Sequence, residues 1–167
     1  MGIKWERVAN VVDQVKYMFL GSYEHVIDGK GRISIPARFR EVLSTQGDSR
    51  LVVTTNVDPA GQCLVAYPIH EWQSFQQRIA DLPQFDESVI RLKRLHVAGA
   101  TECSMDRQGR ILIPPVLRDY AGLKSHVLFA GLGSNVEIWD KERWQDERER
   151  AKQSLPEIND AIARLGL

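Results

Sequence analysis

The chain has 167 residues, of which 43% are hydrophobic and 26% are charged, and its 22 basic residues balance its 22 acidic ones. This length fits one ordinary domain or two small ones that share a core, and the composition gives no indication of a disordered chain. Because the formal net charge is zero, the chain as a whole does not attract polyanions, so any binding of nucleic acid must come from local basic patches.

The N-terminal stretch MGIKWERVANVVDQVKY, residues 1–17, precedes the first recognisable strand. Its valines at positions 8, 11, 12 and 15 recur at helical spacing, which is compatible with a small docking helix. The alternative, which we favour, is that this extension results from an upstream start codon or an artificial addition.

A first unit is predicted over residues 18–85. Within it, Gly31 stands in a turn at a position expected to need a positive φ, and Pro36 stops a short alternating strand and opens a helix. Its predicted elements are a strand (19–27), a turn (28–32), the strand RISIP, a helix after Pro36, two strands (51–55 and 63–67) and a helix after Pro68.

The chain then repeats this unit. A linking helix with Asp86 as its N-cap is predicted over 86–96. At an offset of 78 residues, the segment DGKGRISIPARFR matches DRQGRILIPPVLR, and at an offset of 72, CLVAYPIHEW matches NVEIWDKERW. This tandem duplication predicts a second unit over 97–144. Its predicted elements are a strand (97–105), a turn (106–110), the strand RILIP, a helix after Pro114, two strands (127–130 and 136–139) and a helix capped by Asp140. A C-terminal helical tail is predicted over 145–167.

Both copies concentrate basic residues on the turn and on the helix after it. Four cations accompany one anion from Asp28 to Arg40, and three accompany one from Asp106 to Arg118. The planar guanidinium group of arginine suits hydrogen bonding to phosphates and to guanine edges. A hairpin is also narrow enough to enter a major groove. A purely structural pair of tight turns, with each aspartate bonding its own backbone, is the alternative. The candidate DNA-binding residues are Asp28, Lys30, Arg32, Arg38, Asp106, Arg107, Arg110 and Arg118.

From Met18 to Gln153 the sequence closely resembles the MraZ family of bacterial transcriptional regulators. The resemblance rests on the motif D-x-x-x-R, which occurs twice and is followed directly by I-x-I-P both times. It implies an α+β fold: a tandem-duplicated, AbrB/SpoVT-like swapped-hairpin β-barrel with short peripheral helices and C-terminal helices. It further implies a nucleoid-associated regulator that binds repeated short boxes of double-stranded DNA at the promoter of the division and cell-wall gene cluster, as a ring-shaped homo-oligomer.

By position, the resemblance assigns the DNA-binding surface to the two motifs, Asp28 with Arg32 and Asp106 with Arg110. The other candidates are added from charge and placement alone. The aspartates are expected to brace the turns or pair with arginine, because a bare carboxylate near a phosphate is repulsive.

Two other classes of function remain. AbrB-like barrels also serve as antitoxin domains, so the C-terminal helices are an alternative site for capturing a protein partner. An enzyme is disfavoured, because the four histidines are scattered and no P-loop, Gly-x-Ser-x-Gly or H-E-x-x-H pattern is present. The stretch GLGSNVE (131–137) lacks the third glycine of a dinucleotide fingerprint and is interpreted as a hairpin turn between two strands.

The remaining signals predict a cytoplasmic protein without cofactor, metal, membrane partner or small-molecule substrate. Cys63 and Cys103 lie forty residues apart and outside any zinc-ligand spacing, which also argues against a disulfide framework. No secretory signal is recognisable, and no apolar run approaches the roughly 20 residues of a membrane span.

Overall fold

The computed structural model describes residues 17–58 and 61–166. The docking helix considered for the N-terminal extension lies outside these residues. No described helix is both long enough and apolar enough to cross a membrane.

The described chain has eight strands and six α-helices. The strands are β1 (Phe19–Val26), β2 (Arg32–Ser34), β3 (Leu51–Thr55), β4 (Leu64–Pro68), β5 (Thr101–Cys103), β6 (Arg110–Leu112), β7 (His126–Gly133) and β8 (Val136–Asp140). The helices are α1 (Ala37–Thr45), α2 (Ile69–Ala80), α3 (Glu87–Leu92), α4 (Pro115–Ala121), α5 (Lys141–Gln153) and α6 (Leu155–Ala163). A π-helical segment, Lys93–Val97, continues α3. The fold is therefore mixed α+β, as predicted.

Strands from the two repeats alternate through the sheets. Six strands form one antiparallel sheet in the order β1-β7-β8-β4-β3-β5, and β2 pairs with β6 in a separate two-stranded sheet. Only the β3–β4 and β7–β8 ladders join strands of the same repeat, whereas the other four ladders join one repeat to the other. The two halves therefore share one core and do not form independent sheets.

The repeated I-x-I motifs supply the centre of that core, as their alternation predicts. Ile33, Ile35, Ile111 and Ile113 are each at most 2% exposed. They pack in one hydrophobic cluster with Phe39 and with residues of both sheets and of α4. Since β2 and β6 lie side by side, burying these four isoleucines stabilises the pairing of the two halves.

Both predicted helix N-caps are confirmed. The Asp86 carboxylate accepts a hydrogen bond from Ser88 N at 2.8 Å, and that of Asp140 accepts one from Glu142 N at 3.2 Å. The stretch 131–137 is indeed the turn of the β7–β8 hairpin, where Leu132 N donates to Asn135 O at 2.9 Å.

The strand predicted over 97–105 is wrong in its first part. The linking helix extends through Val97, and the strand begins only at Thr101. The reason is tertiary: Thr54 Oγ1 of β3 donates to His96 O at 2.6 Å, and the His96 ring contacts Thr55 O at 2.8 Å. These bonds fix the end of the linking helix against β3.

Candidate nucleic-acid interface

The strands β2 and β6 and the turns that precede them, Asp28–Arg32 and Asp106–Arg110, form what we call the basic ribbon. Its register pairs Arg32 with Leu112 and Ser34 with Arg110, on either side of the buried pair formed by Ile33 and Ile111. Side chains alternate along a strand, so Arg32 and Arg110 share the face opposite the core. They are diagonal neighbours in this ladder, an arrangement in which the two Cα atoms lie about 7–8 Å apart.

One carboxylate organises each turn of the ribbon. Asp28 Oδ1 accepts from the backbone N of Lys30 and of Arg32, both at 2.9 Å, and its Oδ2 accepts from Arg32 Nε at 2.8 Å. Asp106 makes the same three bonds in the second half, with Arg110 Nε at 2.9 Å. The aspartates therefore brace the turns and orient the arginines, as expected.

The glycines of the two turns adopt the predicted conformation. Gly31 has φ of +86° and Gly109 has φ of +74°. Only glycine enters this region without a steric penalty from a side chain, which explains the residue type at both positions.

Neither turn closes a local β-hairpin between the two strands that flank it in the chain. The strands on either side of Asp28–Arg32 belong to different sheets, because β1 pairs with β7 and β2 pairs with β6. The turn itself is closed locally by Asp28 N donating to Arg32 O at 3.0 Å. Pairing β2 with β6 buries the isoleucines of both halves, which a local β1–β2 hairpin cannot do.

The hydrogen bonds within the turns lower the pKa values of the two aspartates. Bonds from the Arg32 backbone and side chain hold the pKa of Asp28 at about 2, and the backbone bond from Arg110 is the largest cause of the lowered pKa of Asp106. Both carboxylates are therefore ionised at neutral pH.

An acid titration tests this bracing role. An unfolded aspartate has a pKa of about 3.9, so ionised Asp28 stabilises the fold above that pH, and its contribution is lost as the pH falls towards about 2. We expect NMR of the Asp28 carboxyl carbon to give a midpoint near 2 in the folded protein. In Arg32→Ala the midpoint should rise, because the Nε bond is removed. An unshifted midpoint in the wild type would contradict the bracing role.

The other candidate cations differ in their surroundings. Lys30 and Arg107 are exposed in the turns, whereas Arg38 on α1 pairs with Glu41 at 3.0 Å. Arg118 on α4 lies against the first turn, since a Cβ built on Gly31 would be 2.8 Å from its Nε.

One arginine beside the ribbon was not among the candidates. Arg40 on α1 lies against the second turn, since a Cβ built on Gly109 would be 2.8 Å from its Nη1. Its alignment with Arg118 at the offset of 78 residues was the signal that could have identified it.

The described residues contain neither a metal-binding cluster nor a reactive cysteine. No group of three or more His, Cys, Asp or Glu side chains there could hold a metal ion. Both cysteines are free and buried, and burial raises the pKa of Cys63 to about 12 and that of Cys103 to about 11. Such thiols are protonated and inert at neutral pH.

Two consecutive stretches, residues 18–95 and 97–164, match the family model described as "MraZ protein, putative antitoxin-like". The chain belongs to the MraZ family. The matched stretches correspond to the two MraZ repeats seen in the sequence. The finer unit boundaries (18–85, 86–96, 97–144 and 145–167) stay a prediction, and α5 runs across the last of them.

Individual MraZ proteins from several bacteria agree with this assignment. The chain is 45% identical to the transcriptional regulator MraZ of Coxiella burnetii (strain RSA 493 / Nine Mile phase I), over 79% of this chain and 86% of that protein. Identity to the protein of the same name from Lachnoclostridium phytofermentans is 43%, over 90% of this chain and 99% of that one. Identity to the MraZ protein of Halothermothrix orenii is 41%, over 90% of this chain and 100% of that protein. MraZ is a family of transcriptional regulators, which confirms that this chain is not an enzyme.

Proposed function

We propose that this protein is a sequence-specific transcriptional regulator that binds double-stranded DNA through the basic ribbon. The observation that carries the proposal is the pair Arg32 and Arg110, held side by side on one face by their aspartates. Each uses only Nε in that bond, so within the described structure the terminal nitrogens of both guanidinium groups have no side-chain partner. Those nitrogens are the part of arginine that makes bidentate contacts with guanine O6 and N7.

The charge around the ribbon favours a polyanion as the ligand. Six cations lie in or against the two turns, compared with two carboxylates, although the chain as a whole is neutral. They are Lys30, Arg32, Arg40, Arg107, Arg110 and Arg118. A two-stranded ribbon is also one of the few elements that fit into the major groove.

We further propose that the protein acts as a ring-shaped homo-oligomer on repeated boxes at the promoter of the division and cell-wall genes, in the cytoplasm and on the nucleoid. Helix α6 and the residues after it support self-association. Leu155, Ile158, Ile162 and Leu165 recur at spacings of three and four residues and are 38–73% exposed in the single chain. Several ribbons on one ring would bind repeated boxes with avidity and without any new contact.

The same apolar face supports a second candidate, an antitoxin-like module that captures a protein partner through its C-terminal helices. The family description includes the term "antitoxin-like". Sedimentation of the purified protein separates the two candidates. A multiple of 19.0 kDa indicates the homo-oligomer, and a stoichiometric second protein indicates the module.

The proposed function predicts a strong salt dependence of binding. We expect the protein to bind DNA from upstream of its own gene more tightly than scrambled DNA of equal length and composition. The logarithm of the association constant should fall linearly with the logarithm of salt concentration, because each neutralised phosphate releases counterions. Fluorescence anisotropy at several salt concentrations measures both quantities. Intact binding with a flat salt profile would contradict the proposal.

A further inference from the structure

Two arginines outside the D-x-x-x-R motifs each contact the turn of the opposite half. Arg40, from the first half, lies against Gly109, and Arg118, from the second half, lies against Gly31. A side chain on either glycine would meet the guanidinium group, since the virtual Cβ lies 2.9 Å from Cζ of Arg118 and 3.2 Å from Cζ of Arg40. The contact between turn and arginine is therefore built twice, each time across the two halves.

The repeated backbone geometry explains this exchange. Ile113 N donates to Gly31 O, and Ile35 N donates to Gly109 O, both at 2.9 Å, so each turn is bonded to the end of the opposite strand. A helix starts directly after each of those strands. The arginine lies four residues after the proline that precedes each helix, and its backbone N donates to the proline O at 3.0 Å in both helices.

The electrostatics of these arginines differ from those of Arg32 and Arg110. Neither Arg40 nor Arg118 forms an ion pair with a carboxylate in the described part of the chain. The Nε of Arg118 is moreover buried and has no hydrogen-bond partner there. An unsatisfied buried donor is destabilising, and its persistence in a fold calls for an explanation. The buried Nε is itself out of reach of a ligand, but an anion at the terminal nitrogens would neutralise the charge of the guanidinium group.

The positions along the ribbon suggest which part of the DNA each arginine contacts. Gly31 and Gly109 stand at opposite ends of the ladder, four residues apart, which corresponds to about 14 Å at 3.4 Å per residue. Arg32 and Arg110 lie between them, two residues apart. The major groove is about 12 Å wide, so the ends of a ribbon inserted in it come close to the phosphates on either side.

We propose that Arg40 and Arg118 bind backbone phosphates at the two ends of the basic ribbon, while Arg32 and Arg110 contact the base edges between them. Each DNA-contacting unit is then a composite, with the turn of one half and the helix arginine of the other. This inference rests on the proposed DNA-binding function and adds the phosphate-binding residues and their pairing across the halves.

The first test is anisotropy with a duplex from upstream of the protein's own gene and a scrambled duplex. We expect Arg40→Ala and Arg118→Ala each to weaken binding to both duplexes about tenfold. The ratio of the affinities for the upstream and the scrambled duplex should therefore be unchanged. The slope of the logarithm of the association constant against the logarithm of salt concentration should fall in magnitude by about 0.9 for each protein chain that contacts the DNA. One phosphate contact per chain is lost in each variant. Arg40→Lys and Arg118→Lys keep the positive charge and should retain the wild-type salt slope. These variants keep the test decisive if an alanine variant folds poorly.

Two matched controls isolate the effect. Arg91→Ala removes an exposed arginine that is paired with Glu87 on α3 and was assigned no role in binding, so it should change affinity less than twofold. Arg143→Ala removes an arginine that lies against another positive-φ glycine, Gly122, and that bonds Gln62 instead of lying beside the ribbon. Its DNA binding should match the wild type.

Double-mutant cycles test the composite unit. Arg32→Ala combined with Arg118→Ala should deviate at least threefold from the product of the single effects, because both residues contact the Gly31 turn. Arg32→Ala combined with Arg40→Ala, from the same half, should be additive. Additivity in both cycles would overturn the composite unit, as would unchanged binding or salt slope in the single variants. No binding by the wild-type protein would instead refute the proposed function itself.

Discussion

Replacing Phe39 by alanine is expected to lower the free energy of unfolding by about 3–5 kcal/mol, a typical cost for removing a buried aromatic ring. Phe39 on α1 is 1% exposed. Its ring centroid lies 5.3 Å from that of Phe19 and 5.2 Å from that of Tyr23, both in edge-to-face geometry. The cavity would open in the core that both halves share, so we expect the whole fold to lose stability.

Urea denaturation followed by circular dichroism, at one fixed protein concentration, measures this loss. The matched control is Phe85→Ala, since Phe85 is 99% exposed in the loop between α2 and α3. Its effect should stay below about 0.5 kcal/mol, as is usual for surface substitutions. Equal effects of the two substitutions would show that Phe39 is not in the core.

The second large effect is expected for Gly31→Ala, which should cost about 3 kcal/mol. A left-handed conformation costs an L-residue about 1–2 kcal/mol, and the added Cβ would also lie 2.8 Å from the backbone O of Ile113. That oxygen belongs to the strand end to which the turn is bonded, so the clash forces the ribbon apart. Because the Cβ also displaces Arg118, we expect weaker DNA binding as well.

A second glycine separates the two causes. Gly47 has a similar φ of +79°, but a Cβ added there would meet no atom within 4 Å. Gly47→Ala should therefore cost only the conformational part, about 1–2 kcal/mol, and leave DNA binding unchanged. If chemical denaturation gives the same loss for both variants, the tight contact across the ribbon is absent.

The local features of the fold could be predicted from the sequence because each depends on a few neighbouring residues. The burial of the I-x-I motifs follows from alternation, the caps at Asp86 and Asp140 from side-chain chemistry, and the positive φ of Gly31 from its place in a turn. The pairing of β2 with β6 could not be predicted locally, since no nearby residue encodes a partner 78 positions away. The missed helical turn at Val97 has the same cause, because bonds to β3 fix it.

The site residues likewise fall into those that a local motif identifies and those whose role depends on tertiary contacts. Arg32 and Arg110 could be identified from the repeated motif, since their bonds to the aspartates lie within five residues. Arg38 follows from charge and placement, and it stays a prediction; in the structure its guanidinium group pairs with Glu41. Arg40, the next cation along, carries one sequence signal, its alignment with Arg118 at the offset of 78 residues, and its contact with the opposite half is seen only in the structure.

The most direct test of the central claim is the sequence preference of the Arg32→Ala/Arg110→Ala double variant. It is measured by anisotropy at fixed salt, as the ratio of affinities for the gene's own upstream DNA and for scrambled DNA. If the two arginines contact base edges, the wild type prefers its own upstream DNA, and the double variant loses that preference while it stays folded and keeps its oligomeric state. Each good bidentate contact contributes about 1–3 kcal/mol of discrimination, so we expect the preference to fall at least about tenfold. An unchanged preference in the double variant would contradict the account and leave the basic ribbon as scaffold.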